Sequence, residues 1–208
     1  MAATKRIVVI GARGRAGSAA VAEAVARGHE VTAVVRDPAG YEAPADVTVR
    51  AGDITDPATL AAAVSGQDAV IAAVYDAASD PAVFLPAAAQ GLAEVVRSAR
   101  LVWVGLAALL PDATGTPLMD TFEYPQEYRS FYLSHLAALD VLRASGLGWV
   151  AISPSGDFDH GGAPTGGYQL APGDAAARIT YADHAIALVD EAVDASHHQT
   201  HLGVVAQA

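Results

Sequence analysis

The chain has no cysteine, which removes disulfides, thiol nucleophiles and zinc–thiolate centres from consideration. Basic residues are scarce, 12 against 23 acidic ones, for a net charge of −11. So acidic a chain is a poor match to nucleic acid or to an anionic membrane, and an anionic ligand would need a local basic pocket to overcome the field. No long hydrophobic run is present. The apolar part of "MAATKRIVVIG" is too short for a signal peptide or a membrane span, and later apolar segments are short or broken by Gly, Pro and charge. No internal repeat or low-complexity linker occurs. What the chain does have is 52% apolar against 17% charged residues over 208 positions, enough for a substantial core. The expectation is one soluble, cytoplasmic domain covering residues 1–208.

Apolar and helical segments alternate along the chain. "KRIVVIG", "HEVTAVVRDP", "DVTVRAGD", "QDAVIAAVYD", "RLVWVGL" and "GWVAISPS" read as strands, with "THLGVVA" as a final one. "SAAVAEAVARGHE", "DPATLAAAVSG", a stretch near 82–99, "PQEYRSFYLSHLAALDVLRASG" and "RITYADHAIALVDEAV" read as helices. The strands are continuously apolar rather than alternating, as burial on both faces requires. The fold class expected is α/β, a Rossmann-like, doubly wound parallel sheet with helices on both faces. Residues 153–173, rich in Gly and Pro, read as an ordered excursion or lid on the substrate side.

The first strand runs into "IGARGRAG", a G-x-x-G-x-x-G loop followed by a helix. In that context Gly11 allows a tight turn, Gly14 close backbone approach to a pyrophosphate, and Gly17 packing of helix on strand. The helix N-terminus beyond favours phosphate; the bland alternative is a tight strand–helix turn with no ligand. The second strand ends in Arg36, and a cation there favours the 2′-phosphate of NADP(H), so NADP(H) is the cofactor expected and NAD(H) the alternative. Arg13 or Arg15 adds a second phosphate contact, or both are solvated surface charges. Asp37, beside Arg36, could instead accept a ribose hydroxyl. Ala16, in the first helical turn, is placed on the cofactor with its neighbours.

"IGARGRAG", "VVRDP", "AGDITDPATLAAAVSGQDAVI" and "LRASGLGWVAISPS" together resemble the atypical short-chain dehydrogenase/reductases, in the NAD(P)H-binding branch that includes NmrA-like and flavin/biliverdin-reductase-like proteins. The resemblance spans almost the whole chain, about residues 5–205. It implies that Asp53 and Ile54 line the adenine, that Ala72, Ala73 and Val74 pass along the cofactor, and that Ser153 and Ser155 lie near the nicotinamide. The chain departs from the wider family twice. Where ordinary members carry Tyr-x-x-x-Lys on the long helix, "FYLSH" puts Phe131 and His135 at the Tyr and Lys positions. Where relatives have a Gly-rich, Ser-containing turn after the fifth strand, this chain has "VGLAALLPD".

The replacement chemistry has several candidates. Phe131 and His135 are four apart and share a helix face, and Tyr132 is three from His135. His135 is a candidate general acid and Tyr132 a second donor; the alternative is that both belong to the helix's packing and polar edge. Tyr128, Phe131, Ser155 and Phe158 are placed at the substrate. Phe122, Tyr124 and Tyr128 could stack on a flat substrate or cover a domain edge. Asp120, Glu123 and Glu127 suit a helix N-terminal side in either case. "SPSGDFDHGG", with Asp157, Asp159 and His160, is a weak metal signal, read as a lid made mobile by Gly161, Gly162, Gly166 and Gly167 or as an ordinary surface loop. "HHQTH", His197, His198 and His201, reads as surface histidines rather than a metal site. No metal is expected.

The leading expectation is an NADPH-dependent reductase of a small or flat conjugated substrate of the flavin, quinone or enone type. The alternatives are a non-catalytic NADP(H)-binding redox sensor and a non-redox isomerase or epimerase using the same pocket.

Overall fold

The computed structural model describes residues 3–122 and 124–207; Glu123, named above, lies outside them. The chain runs β1 (Arg6–Ile10), α1 (Arg15–Ala26), β2 (Glu30–Val35), β3 (Thr48–Ala51), α2 (Pro57–Val64), β4 (Ala69–Ala72), α3 (Pro81–Val95) and β5 (Arg100–Val104). It continues through α4 (Arg129–Ala144), β6 (Trp149–Pro154), β7 (Asp157–Asp159), β8 (Tyr168–Leu170), β9 (Arg178–Thr180), α5 (Tyr181–Asp194) and β10 (Thr200–Ala206). Eight strands form one sheet in the order β3-β2-β1-β4-β5-β6-β10-β8. The fold is Rossmann-like α/β, and the strand order reverses at β1 and β4, which places the ligand crevice beyond their carboxyl ends.

Both faces of the sheet are covered, so successive residues of one strand enter different cores. Val8 and Ile10 pack with Leu60, Leu85, Leu92 and Leu142 under α2, α3 and α4. Ile7 and Val9 pack with Ala20, Val21, Ala24 and Leu188 under α1 and α5. Helix starts follow their capping residues. The Asp56 carboxylate accepts from the Ala58 N–H ahead of α2, and Asp80 accepts from the Ala82 N–H ahead of α3, each with proline at the first helical position. At α5 the Thr180 hydroxyl accepts from the Asp183 N–H at 3.0 Å. No helix among the described residues is long and apolar enough to cross a membrane.

The structure corrects the sequence reading at several elements. The sheet is not wholly parallel, because β8 pairs antiparallel with β10 at its edge. Residues 178–180, expected to open a helix, form β9 and pair with β7; the helix begins where Thr180 caps it. The long helix starts at Arg129, after a 3-10 turn at Gln126–Tyr128. The helix expected near 82–99 ends at Val95. The excursion 153–173 is therefore built on three strand segments, β6, β7 and β8.

Candidate functional site

The glycine loop is held between two strand ends. The N–H groups of Gly11 and Ala12 donate to the Val34 carbonyl at 3.1 and 3.3 Å, and the Gly14 N–H donates to the Gly11 carbonyl at 2.9 Å. Gly11 has φ +82°, and a Cβ there would stand 2.2 Å from the Ala73 carbonyl oxygen. A Cβ on Gly17 would stand 2.1 Å from the Gly11 carbonyl oxygen. Both positions admit only glycine. Gly14 differs: a Cβ there meets nothing nearer than the Gly11 oxygen at 3.3 Å, so it would project toward the crevice. Gly14 is also the N-cap of α1 and offers no side-chain cap. The first-turn N–H groups of α1 thus face the crevice without a side-chain acceptor, an arrangement suited to phosphate.

A cavity of about 930 Å³ opens there. Gly11, Arg13, Gly14, Arg15, Ala16, Arg36, Asp53, Ile54, Ala73 and Val74 line it. Ala72 and Ser153 do not. Ala72 is buried in the core beneath α2–α4, and the buried Ser153 hydroxyl shares a 2.6 Å hydrogen bond with His201 Nε2. Four aromatic residues also line the cavity: Tyr75, Phe84, Phe158 and Tyr181. Phe158 lies flat on Tyr181 with ring centroids 4.1 Å apart. These donors and this uncapped helix end fit a dinucleotide.

Each cation in the crevice has a protein partner. Arg13 donates to the carbonyls of Asp37 and Ala39 at 2.8 and 3.0 Å, and its guanidinium lies 5.8 Å from the Tyr41 ring centre. Arg15 donates to His160 Nδ1 at 2.8 Å, tying the phosphate loop to the segment after β7. Arg36 pairs with Asp76 at 2.9 Å. Hydrogen bonds from Ser79 and the Ala78 N–H, and then Arg36, hold the Asp76 carboxyl below the usual carboxylate range. Asp159 is taken up by the N–H groups of Gly161 and Gly162. Among the described residues no three His, Cys, Asp or Glu side chains are grouped to hold a metal.

The candidates on α4 fall on two sides. Phe131 meets Tyr75 edge-on at 5.9 Å and His135 edge-on at 4.7 Å. His135 is buried with both ring nitrogens lacking a hydrogen-bond partner, and burial pushes its pKa down to about 4. Tyr132 faces a separate small cluster with Ala108 and Met119. Its hydroxyl donates to the Pro125 carbonyl at 3.1 Å, and burial raises its pKa. Neither His135 nor Tyr132 lines the cavity; Phe131 stands between His135 and the cavity-lining Tyr75. Tyr128 and Phe122 are exposed. Ser155 is buried and donates to the Ala171 carbonyl at 3.2 Å, away from the cavity lining.

The "HHQTH" histidines are not simply surface residues. His197 Nδ1 meets Glu191 Oε1 at 2.5 Å, and Glu191 also pairs with Arg100 at 2.8 Å. His201 lies on β10 against Ser153, and Gly105 leaves room for the pair, since a Cβ there would come within 2.6 Å of the Ser153 hydroxyl. Asp76, Tyr75, Phe84 and Tyr181 were not singled out by the sequence reading, and His160, named there in a lid or weak metal signal, is instead the partner of Arg15. The one local signal was the position of Tyr75 and Asp76 directly after "VIAAV", at a strand's carboxyl end.

Comparison with known proteins bears on the family and the fold. A family described as NAD(P)H-binding matches residues 11–202. An uncharacterised protein, YwnB, of Bacillus subtilis is 35% identical over 217 residues, covering 98% of this chain and 99% of that one. The structure of a proposed NADH-flavin reductase from Streptococcus pneumoniae is 33% identical with a TM-score of 0.82, covering 98% of this chain and 100% of the other. The structure of a proposed epimerase from Bacteroides thetaiotaomicron is 30% identical with a TM-score of 0.80, covering 99% of each.

Proposed function

The chain belongs to the NAD(P)H-binding family, within the atypical short-chain dehydrogenase/reductase-like group, and from that premise we propose that it is an NADPH-dependent reductase of a small, flat, conjugated acceptor such as a flavin, quinone or enone. The observation that carries the reading is the cavity itself, whose lining joins the glycine loop and the α1 N-terminus to the aromatic rings of Tyr75, Phe84, Phe158 and Tyr181. Flat conjugated rings match such side chains by offset or edge stacking.

In this reading the α1 N-terminus, Gly14, Arg15 and Ala16 bind the pyrophosphate, with Arg13 beside them. Arg36 meets the 2′-phosphate, and Asp53 and Ile54 border the adenine. The nicotinamide supplies a hydride when bound. Phe158 and Tyr181 orient the acceptor and exclude water, and residues 153–173 act as the lid. Tyr132 is committed to Pro125 and His135 is uncharged and set back behind Phe131, so the proton reaches the reduced acceptor from solvent. This favours conjugated acceptors over simple ketones, which need an acid at the carbonyl oxygen.

The test is to add a flavin, then a quinone, to protein and NADPH and follow the loss of nicotinamide absorbance. Acceptor-dependent oxidation is expected. Tight NADPH binding without oxidation by any such acceptor would overturn the reductase reading in favour of a sensor. A second, non-redox reading draws on the similarity to the proposed epimerase, and predicts substrate conversion with no net loss of NADPH.

A further inference from the structure

Arg36 and Asp76 come from opposite sides of β1, and Arg36 lines the cavity. Arg36 follows β2 and Asp76 lies beyond β4, with β1 between those two strands. Their ion pair, 2.9 Å from Nη1 to Oδ2, therefore crosses the carboxyl end of β1, where the glycine loop begins. The two ends of this bridge are unequal. Asp76 is fixed, because Oδ1 accepts from the Ala78 N–H at 3.1 Å and Oδ2 from the Ser79 hydroxyl at 2.8 Å. Its side chain is 15% exposed, whereas that of Arg36 is 62% exposed. The Arg36 guanidinium has no other hydrogen-bond partner among the described residues. A carboxylate anchored by its own turn thus holds a solvent-exposed cation that itself lines the cavity.

We infer that Asp76 is a specificity-determining residue for the cofactor, holding Arg36 in a carboxylate pair that the 2′-phosphate of NADP(H) must displace. The inference rests on the assignment of Arg36 to the 2′-phosphate made above. A guanidinium suits either a carboxylate or a phosphate, and the two compete for the same N–H face. NADH brings only a neutral 2′-hydroxyl to this position and has no such competition to win. Asp76 therefore narrows the margin by which the protein prefers NADP(H) over NAD(H), without touching the reacting end of the cofactor.

The experiment is a calorimetric double-mutant cycle with the full chain, measuring Kd for NADPH and for NADH with wild type, D76N, R36Q and R36Q/D76N. Asparagine keeps an oxygen to accept from the Ala78 N–H and turns its amide NH2 to donate to the Ser79 hydroxyl, and Asp76→Ser serves as a second variant if the turn is disturbed; melting curves check that each protein is folded. D76N is expected to bind NADPH about two- to fivefold more tightly, as release of an exposed ion pair allows, with NADH affinity unchanged. The gain is expected to vanish in the R36Q background. A gain that persists without Arg36 would mean that Asp76 acts by direct repulsion, and would overturn the inference. No gain in D76N while R36Q weakens NADPH would overturn it and leave the Arg36 assignment standing. An R36Q protein that binds NADPH as well as wild type would remove that assignment, and the inference with it.

Discussion

Replacing His135 with leucine should make the protein more resistant to acid. A free imidazole titrates near 6.5, and burial holds His135 down to about 4. The folded protein therefore resists a proton that the unfolded chain takes up readily. This histidine's contribution is full above pH 6.5, declines as the pH falls toward 4, and changes no further below that. At about 1.4 kcal/mol per pH unit, moving to pH 5 removes about 2 kcal/mol of folding stability through this one side chain. Both ring nitrogens are buried without a partner, so an apolar side chain of similar size leaves no hydrogen bond unmade and should be neutral or stabilising at pH 7. The assay is denaturant unfolding at pH 7.5 and pH 5, followed by the fluorescence of Trp103 and Trp149, both buried. His135→Leu should lose about 2 kcal/mol less than wild type between the two conditions, or about 4–8 °C less in melting temperature. The variant will still lose some stability in acid through the buried His184 and through His201, both also pushed down to about 4, mainly by burial. An equal acid loss in variant and wild type, or severe destabilisation at pH 7, would refute the picture of a neutral, unpartnered imidazole. The same picture means that His135 carries no charge at neutral pH with which to protonate a substrate.

Two further outcomes follow from the packing. Gly11→Ala and Gly17→Ala should each destabilise by about 3 kcal/mol, since their Cβ atoms would strike backbone carbonyls; Gly14→Ala should fold normally yet weaken NADPH binding at least about tenfold by obstructing the phosphates, as denaturant midpoints and calorimetry would show. Glu191→Gln should lower stability at pH 7 by about 3 kcal/mol, because Arg100 and Glu191, each 7% exposed, form a buried pair. Burial alone would raise the Glu191 carboxyl, but hydrogen bonds from His197 and Arg100 hold it below its usual 4.5; the stability it adds is present above that pH and lost on acidification, so wild type and variant should converge in acid.

Much of the framework is legible because burial on both faces of a sheet leaves a plain mark. The runs of β1, β4, β5 and β6 are largely apolar without alternation, and α1, α2 and α3 are announced by a glycine or by aspartate–proline, whereas α4 and α5 open without either. The crevice loop is legible for a similar reason, since Gly11 and Gly17 are positions where no other residue fits. What escaped the sequence reading is tertiary. β7, β8 and β9 have three residues each, too few for any periodicity, and β8 is antiparallel only because of where it meets β10. His201 sits in a polar pentapeptide that looks solvent-facing, yet its partner Ser153 lies 48 residues away. Arg36 and Asp76 are 40 residues apart, and Arg15 and His160 are 145 apart. No local pattern encodes such pairs; they exist because strand ends converge on one crevice. The helix carrying Phe131, Tyr132 and His135 shows the same limit, since the spacing puts Phe131 and His135 on one face but does not say which face meets the cavity.

The most direct test of the proposed reductase is to follow the hydride. NADPH deuterated at the reacting carbon of the nicotinamide would be turned over with the protein and a conjugated enone, and the product examined by mass spectrometry. Transfer of one deuterium onto a product carbon, lost when Gly14 is replaced by alanine, is the predicted result. Product without the label, or NADPH bound tightly and never oxidised, would contradict the account.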